Sequence, residues 1–106
     1  MGVKTLNPSS PLFEENYKYH IDAYHNGPEW VWLYGKFIIA KCHFMPESMK
    51  ENPFLLHEKI LTESPAKGLP ELVNVDGTGC ECGCATQAWS NACILEAYIM
   101  WTKLNK

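Results

Sequence analysis

Hydrophobic residues gather in two stretches that read as helices buried on most sides. The first covers 29–45 and contains W-V-W-L-Y-G-K-F-I-I-A-K-C-H-F, apolar around nearly the whole turn and broken by Lys36 and Lys41. Pro46 ends it. Pro28 suits its first position and would set Glu29 at the positive helix end. Gly35 costs about 1 kcal/mol relative to Ala in mid-helix, so its presence predicts a close backbone neighbour. The second covers 85–104, where Q-A-W-S-N-A-C-I-L-E-A-Y-I-M-W holds a single charge, Glu96. Between them, 47–63 reads as one or two helical pieces broken at Asn52-Pro53. Phe54, Leu55, Ile60 and Leu61 offer its apolar side, with Glu51, His57, Glu58, Lys59 and Glu63 turned to water.

The remaining segments carry little period. Residues 1–19 read as a lead-in with no helix, and 20–24 as a helical turn or an extended piece. Residues 64–84 form a long loop with two Pro and four Gly. A loop of that length in a small domain is functional or disordered. Leu69, Leu72 and Val73 predict that its middle is anchored, which favours function. Two helices this apolar cannot cover each other completely in a chain of 106 residues. An exposed apolar face is therefore expected, the mark of a partner or a missing remainder.

Length fits one small domain. The net charge of −3 and the lack of a basic run argue against nucleic acid or anionic lipid as a partner. No apolar run reaches membrane-spanning length, and the first residues lack the apolar core of a signal peptide, so the expected location is cytoplasmic. Five cysteines without a secretory signal read as free thiols. Cys80, Cys82 and Cys84 form C-E-C-G-C, and thiolates do select soft metals. The one-residue spacing is not that of a structural zinc site, and no His lies close. A Cys-rich turn is the plainer reading, and no metal or cofactor is expected.

Candidate chemistry concentrates at two places. Residues 24–32, Y-H-N-G-P-E-W-V-W, place a polar loop, a carboxylate and two indoles together. Aromatic faces for C–H surfaces, with carboxylates or amides for hydroxyls, are the usual parts of a sugar site. The plainer reading puts Trp30 and Trp32 in the core. Glu71, flanked by Leu69-Pro70 and Leu72, is the sharpest candidate. Partial desolvation would suit a carboxylate there to general acid or base work. The plainer reading is a solvated loop glutamate.

Three motifs in order, Y-H-N-G-P-E-W-V-W, K-G-L-P-E-L-V-N and C-A-T-Q-A-W-S, resemble the closing motifs of the eukaryotic glycogen debranching enzyme family, and M-G-V-K-T-L-N-P resembles the sequence before them. The resemblance spans nearly the whole chain but only the C-terminal end of a very large enzyme. It implies an all-α fold, the last few helices of an (α/α)6 toroid with long functional loops. Residues 1–106 would then be a C-terminal fragment of the glucosidase domain: lead-in 1–23, pocket loop and helices 24–63, catalytic loop 64–84, final helix 85–106. It implies an amylo-α-1,6-glucosidase whose parent is also a 4-α-glucanotransferase. Glu71 falls on the catalytic base, and the aspartate acid lies upstream of this chain. Tyr24, His25, Glu29 and Trp30 fall on the substrate pocket, and Gln87 and Trp89 on the motif opening the final helix. The implied partners are glycogen or another branched α-glucan and the upstream part of the domain. Leu33 stands where relatives usually have Pro and Ala66 where Trp is common. The segment after Phe44 looks shortened, and C-E-C-G-C departs from the usual spacing. These departures support an alternative, a non-catalytic glucan-binding or interaction remnant of a partial gene copy.

Overall fold

A computed structural model of the chain describes residues 1–18 and 21–106; the expected turn at 20–24 thus begins outside the described residues. The described elements run β1 (Val3–Lys4), a 3-10 turn (Ile21–His25), β2 (Glu29–Trp30), α1 (Val31–Phe44), a 3-10 turn (Pro46–Ser48), α2 (Leu55–Glu63), β3 (Leu72–Val73) and α3 (Ala88–Leu104). The expectation of an all-α chain is corrected. Three helices share the molecule with a three-stranded antiparallel sheet in the order β1-β2-β3. Val3 pairs with Trp30 and Lys4 with Glu29. Glu29 pairs in turn with Val73, and Trp30 with Leu72. Each strand is two residues long, too short to show the alternation that marks a strand in sequence.

The first helix starts at Val31, two residues later than expected. Glu29-Trp30 is extended because it is the central strand, so Glu29 does not sit in a first helical turn. Gly35 is the close approach anticipated for it: a methyl group there would overlap the Cys93 carbonyl of α3. Through that gap α1 lies directly on α3. Each helix buries a single stripe, Val31, Gly35, Ile38 and Cys42 on one and Ser90, Cys93, Ile94 and Ala97 on the other. Burial on most sides is thus corrected for both, because among the described residues no third layer covers them. The face left bare is the one expected. It includes Phe37, Leu95, Tyr98, Ile99 and Met100.

The break at Asn52-Pro53 is real, and Asn52 Oδ1 accepts the Phe54 amide at 2.8 Å as α2 begins. The polarity of α2 differs from expectation. His57 is buried, stacked on the Tyr34 ring at 5.0 Å, while Leu55 and Leu56 point outward. The loop before α3 is anchored as anticipated, with Leu69, Leu72 and Val73 buried. Leu69 and Val73 join the core made by Val31, Ile38, Phe54, Ile94 and Ala97. The link between α1 and α2 is tied to the end of α3 by the Met49 carbonyl, which accepts from Trp101 Nε1 at 2.8 Å and Asn105 Nδ2 at 3.0 Å.

Candidate functional site

Glu71 sits where three segments meet. Its carbonyl accepts the Val31 amide at the start of α1, at 3.1 Å, and its amide donates to the Cys84 carbonyl at 3.0 Å. The loop is clamped to the head of α3 as well. Gln87 N–H donates to the Leu69 carbonyl at 2.8 Å, and the Leu69 amide donates to Asn91 Oδ1 at 3.1 Å. Gly68 is needed in this clamp, since a side chain would overlap Thr86 Oγ1.

One side chain holds the Glu71 carboxylate, and a second lies close to it. Gln87 Nε2 donates to Oε1 at 2.9 Å. Tyr24 comes from the 3-10 turn, and burial together with the Glu71 carboxylate raises its phenol well above the ordinary range. Tyr24 anchors an aromatic group. Its ring meets Trp30 edge-on at 4.9 Å, and its carbonyl accepts Trp30 Nε1 at 3.2 Å. His25 lies flat on Trp30 at 5.6 Å. Beside them Trp89, half exposed, stacks on Trp32 at 4.1 Å. His25, Trp30, Trp32, Leu33, Trp89 and Thr5 line an open cleft of about 340 Å³.

The lead-in braces this arrangement. The Glu14 amide donates to the Asn26 carbonyl at 2.9 Å, and Gly27 lies so close to Glu14 that a side chain would overlap its carbonyl. Tyr17 packs edge-on against Tyr24 at 5.1 Å, and its amide donates to Asn74 Oδ1 at 3.0 Å.

Of the residues singled out in the sequence, Tyr24, His25, Trp30, Glu71 and Gln87 come together, with Trp89 on the adjoining cleft. Glu29 goes elsewhere. Neighbours along a strand face opposite ways, so Trp30 joins the aromatic group while Glu29 turns to the N-terminal strand. It accepts from the Met1 nitrogen and the Gly2 amide, both at 2.9 Å, and from Lys4 Nζ at 3.3 Å. Burial alone would raise the Glu29 carboxyl, but the Gly2 amide, the Met1 ammonium and Lys4 outweigh it and hold it below its ordinary value. Trp32, weighed above between pocket and core, lines the cleft with Trp89. Ser90, whose hydroxyl donates to Gln87 Oε1, was not singled out. The available signal was the trio of polar residues, Gln87, Ser90 and Asn91, opening an otherwise apolar helix.

The three clustered thiols do not converge. Cys80 Sγ donates to Asn74 Oδ1 and Cys84 Sγ to the Thr86 carbonyl, and Cys82 is exposed. Among the described residues no three His, Cys, Asp or Glu side chains are grouped to hold a metal ion. Nor is any described helix long and apolar enough to cross a membrane.

A carboxylate fixed by an amide, near flat aromatic faces, combines a few placed polar groups with apolar lining, as ligand sites do. The family model described as amylo-alpha-1,6-glucosidase matches residues 1–96, and the chain belongs to that family. It is 37% identical to the glycogen debranching enzyme of Saccharomyces cerevisiae over 130 aligned positions, covering 95% of this chain and 8% of that enzyme. The alignment is longer than the chain, so the yeast protein carries segments that this chain lacks.

Proposed function

We propose that the chain forms the base-bearing side of an α-1,6-glucosidase site that hydrolyses the α-1,6-linked glucose stub at glycogen branch points. The observation that carries this is Glu71, held by Gln87 and close to Tyr24, whose ring packs into the group of aromatic faces. In this reading Glu71 is the general base. One oxygen is fixed by the Gln87 amide, and the carboxylate takes a proton from the attacking water. An aspartate general acid, supplied from upstream, protonates the leaving glycosidic oxygen from the other face. Inversion of that kind places the two carboxyls about 6.5–9.5 Å apart, with water between. Tyr24, His25, Trp30 and Trp89 bind the sugar through hydroxyl contacts and ring faces. Glu29 supports the pocket from behind by fixing the strand that carries Trp30. The helices form the closing part of an (α/α)6 toroid, and the upstream part of the domain covers the bare faces of α1 and α3. The natural setting is a cytoplasmic glycogen-breakdown enzyme.

The test is reconstitution. The chain alone is expected to release no glucose from an α-1,6-linked stub, because one of its two carboxylates is absent. Losing one member of an acid/base pair costs roughly 10²–10⁴ in rate even when the fold survives. Combined with the upstream part of the domain, the chain should restore release, and Glu71→Gln should remove it again by a similar factor. Release by the purified chain alone, or by the reconstituted Glu71→Gln form at an undiminished rate, contradicts the proposal.

The Trp32–Trp89 stack favours a second reading, a non-catalytic glucan-binding module, because its open ring face is available without Glu71. That reading expects the chain to co-sediment with glycogen and to keep doing so as Glu71→Gln. Failure to co-sediment removes it.

A further inference from the structure

We propose that Ser90 is a positioning residue for Glu71, acting through the Gln87 side-chain amide; this rests on the reading of Glu71 as the base. Ser90 is fully buried, and its Oγ lies 3.2 Å from Gln87 Oε1. Gln87 Nε2 lies 2.9 Å from Glu71 Oε1. The order of donors along this chain is forced. An ionised carboxylate only accepts hydrogen bonds, so the Gln87 atom facing Glu71 is the NH2 group. The Gln87 oxygen then faces Ser90, and the hydroxyl donates.

The location makes the arrangement unusual for a helix. Gln87 is the N-cap of α3, and its side chain makes no capping hydrogen bond. A capping box would put the hydroxyl at the cap and the amide or carboxyl three residues on. Here the two residue types are exchanged. The amide is thereby directed away from the free N–H groups of its own helix and toward Glu71. The Gln87 backbone is fixed too, since its N–H donates to the Leu69 carbonyl and its carbonyl accepts Asn91 Nδ2 at 2.7 Å. The Glu71 carboxylate sets which way the amide turns, and the Ser90 hydroxyl holds it there from the oxygen side. Without the hydroxyl the amide oxygen has no donor on its inner side. The amide is then held by Glu71 alone and opens more readily, which loosens the donor on that carboxylate oxygen. Ser90 thus keeps a donor on one Glu71 oxygen and leaves the other to take the proton from water.

Nuclear magnetic resonance of the 15N-labelled 106-residue chain reads this directly. The Gln87 side-chain NH2 pair is assigned by its disappearance in Gln87→Glu. Ser90→Ala suits a helix position, since Ala is the best helix former, and Ser90→Cys refills the volume with a weak donor. In both variants the Gln87 pair is expected to shift and to exchange with solvent roughly threefold to tenfold faster, the effect of one lost hydrogen bond on an opening equilibrium. The Asn91 pair should hold its position. Glu71→Gln should also move the Gln87 pair. An unchanged Gln87 pair in Ser90→Ala or in Glu71→Gln overturns the proposal. So does a wild-type spectrum in Ser90→Cys, which would show that volume rather than the hydroxyl matters. These readings are independent of glucose release, so failure of the positioning role and failure of Glu71 as base are told apart.

Discussion

His57 donates its Nε2 proton to the Met1 carbonyl at 2.9 Å and stacks on Tyr34, which leaves Nδ1 buried without a hydrogen-bond partner among the described residues. A second proton on that ring would place a charge in the core. Burial accordingly pushes its pKa down to about 4. The unfolded chain takes up a proton near pH 6.5 and the folded chain does not, so the unfolded state binds more protons between those values. Stability from His57 is fully present above about pH 6.5 and is lost as pH falls toward 4, amounting to about 3 kcal/mol across the window. Glu29 acts lower. Its depressed carboxyl contributes stability above its ordinary value of 4.5 that is lost as pH falls through its folded value. Urea midpoints measured from pH 7 to 4 should therefore decline from about pH 6.5. His57→Gln should be flat down to the range where Glu29 titrates. An unchanged slope in His57→Gln would assign the acid sensitivity to other groups. The sequence showed His57 only as a polar residue on a helix, since Tyr34 and the Met1 carbonyl that bury it lie far away in the chain. The anchoring of the loop that carries Glu71 was legible for the opposite reason: the buried residues Leu69, Leu72 and Val73 are its neighbours in sequence.

The helices were legible because their apolar runs are long, and the sheet was not because its strands come from residues 3–4, 29–30 and 72–73. Pairing over such separations has no local signature, and Glu29 was read as a helix-end carboxylate on that account. Gly35 lies between these cases. Its helix was visible, and the cost of a mid-helix Gly implied a close neighbour, but not which one. The neighbour is the Cys93 carbonyl, which a methyl group would overlap. Gly35→Ala thus sets two effects against each other. Helix propensity favours Ala by about 1 kcal/mol, and overpacking in a closed contact costs about 1–3 kcal/mol or more. The obstacle is backbone on both sides and cannot turn aside as a side chain would. We expect a net loss on the order of 1–2 kcal/mol, seen as a lower urea midpoint with an unchanged slope. A gain in stability would mean that α1 and α3 can slide apart freely. The exposed Lys36–Glu96 pair at 2.6 Å joins the same two helices, but a solvent-screened surface ion pair is too weak to offset the loss.

At the scale of the molecule the chain is a slab measuring 44 × 34 × 19 Å. The short dimension is about two helix diameters, so α1 and α3 have each other and little else. Leu95, Tyr98 and Ile99 on α3 and Phe37 and Phe44 on α1 remain open to solvent, and Leu55 and Leu56 on α2 add to them. Apolar area of that extent facing water drives association. The purified chain is therefore expected to self-associate with rising concentration. Leu95 and Ile99 lie one helical turn apart, on the same face. Replacing both with Glu should make the chain monomeric, and since both side chains are exposed, each change should move stability by no more than about 0.5 kcal/mol. If that face is the seat of the upstream part of a glucosidase domain, the same double change should also abolish recovery of glucose release on mixing, although Glu71 and its supports are untouched. Sedimentation gives the first result and the glucose assay the second. A wild-type chain that stays monomeric at high concentration removes the association argument. Recovery of activity by the double variant would move the contact with the upstream part to another face.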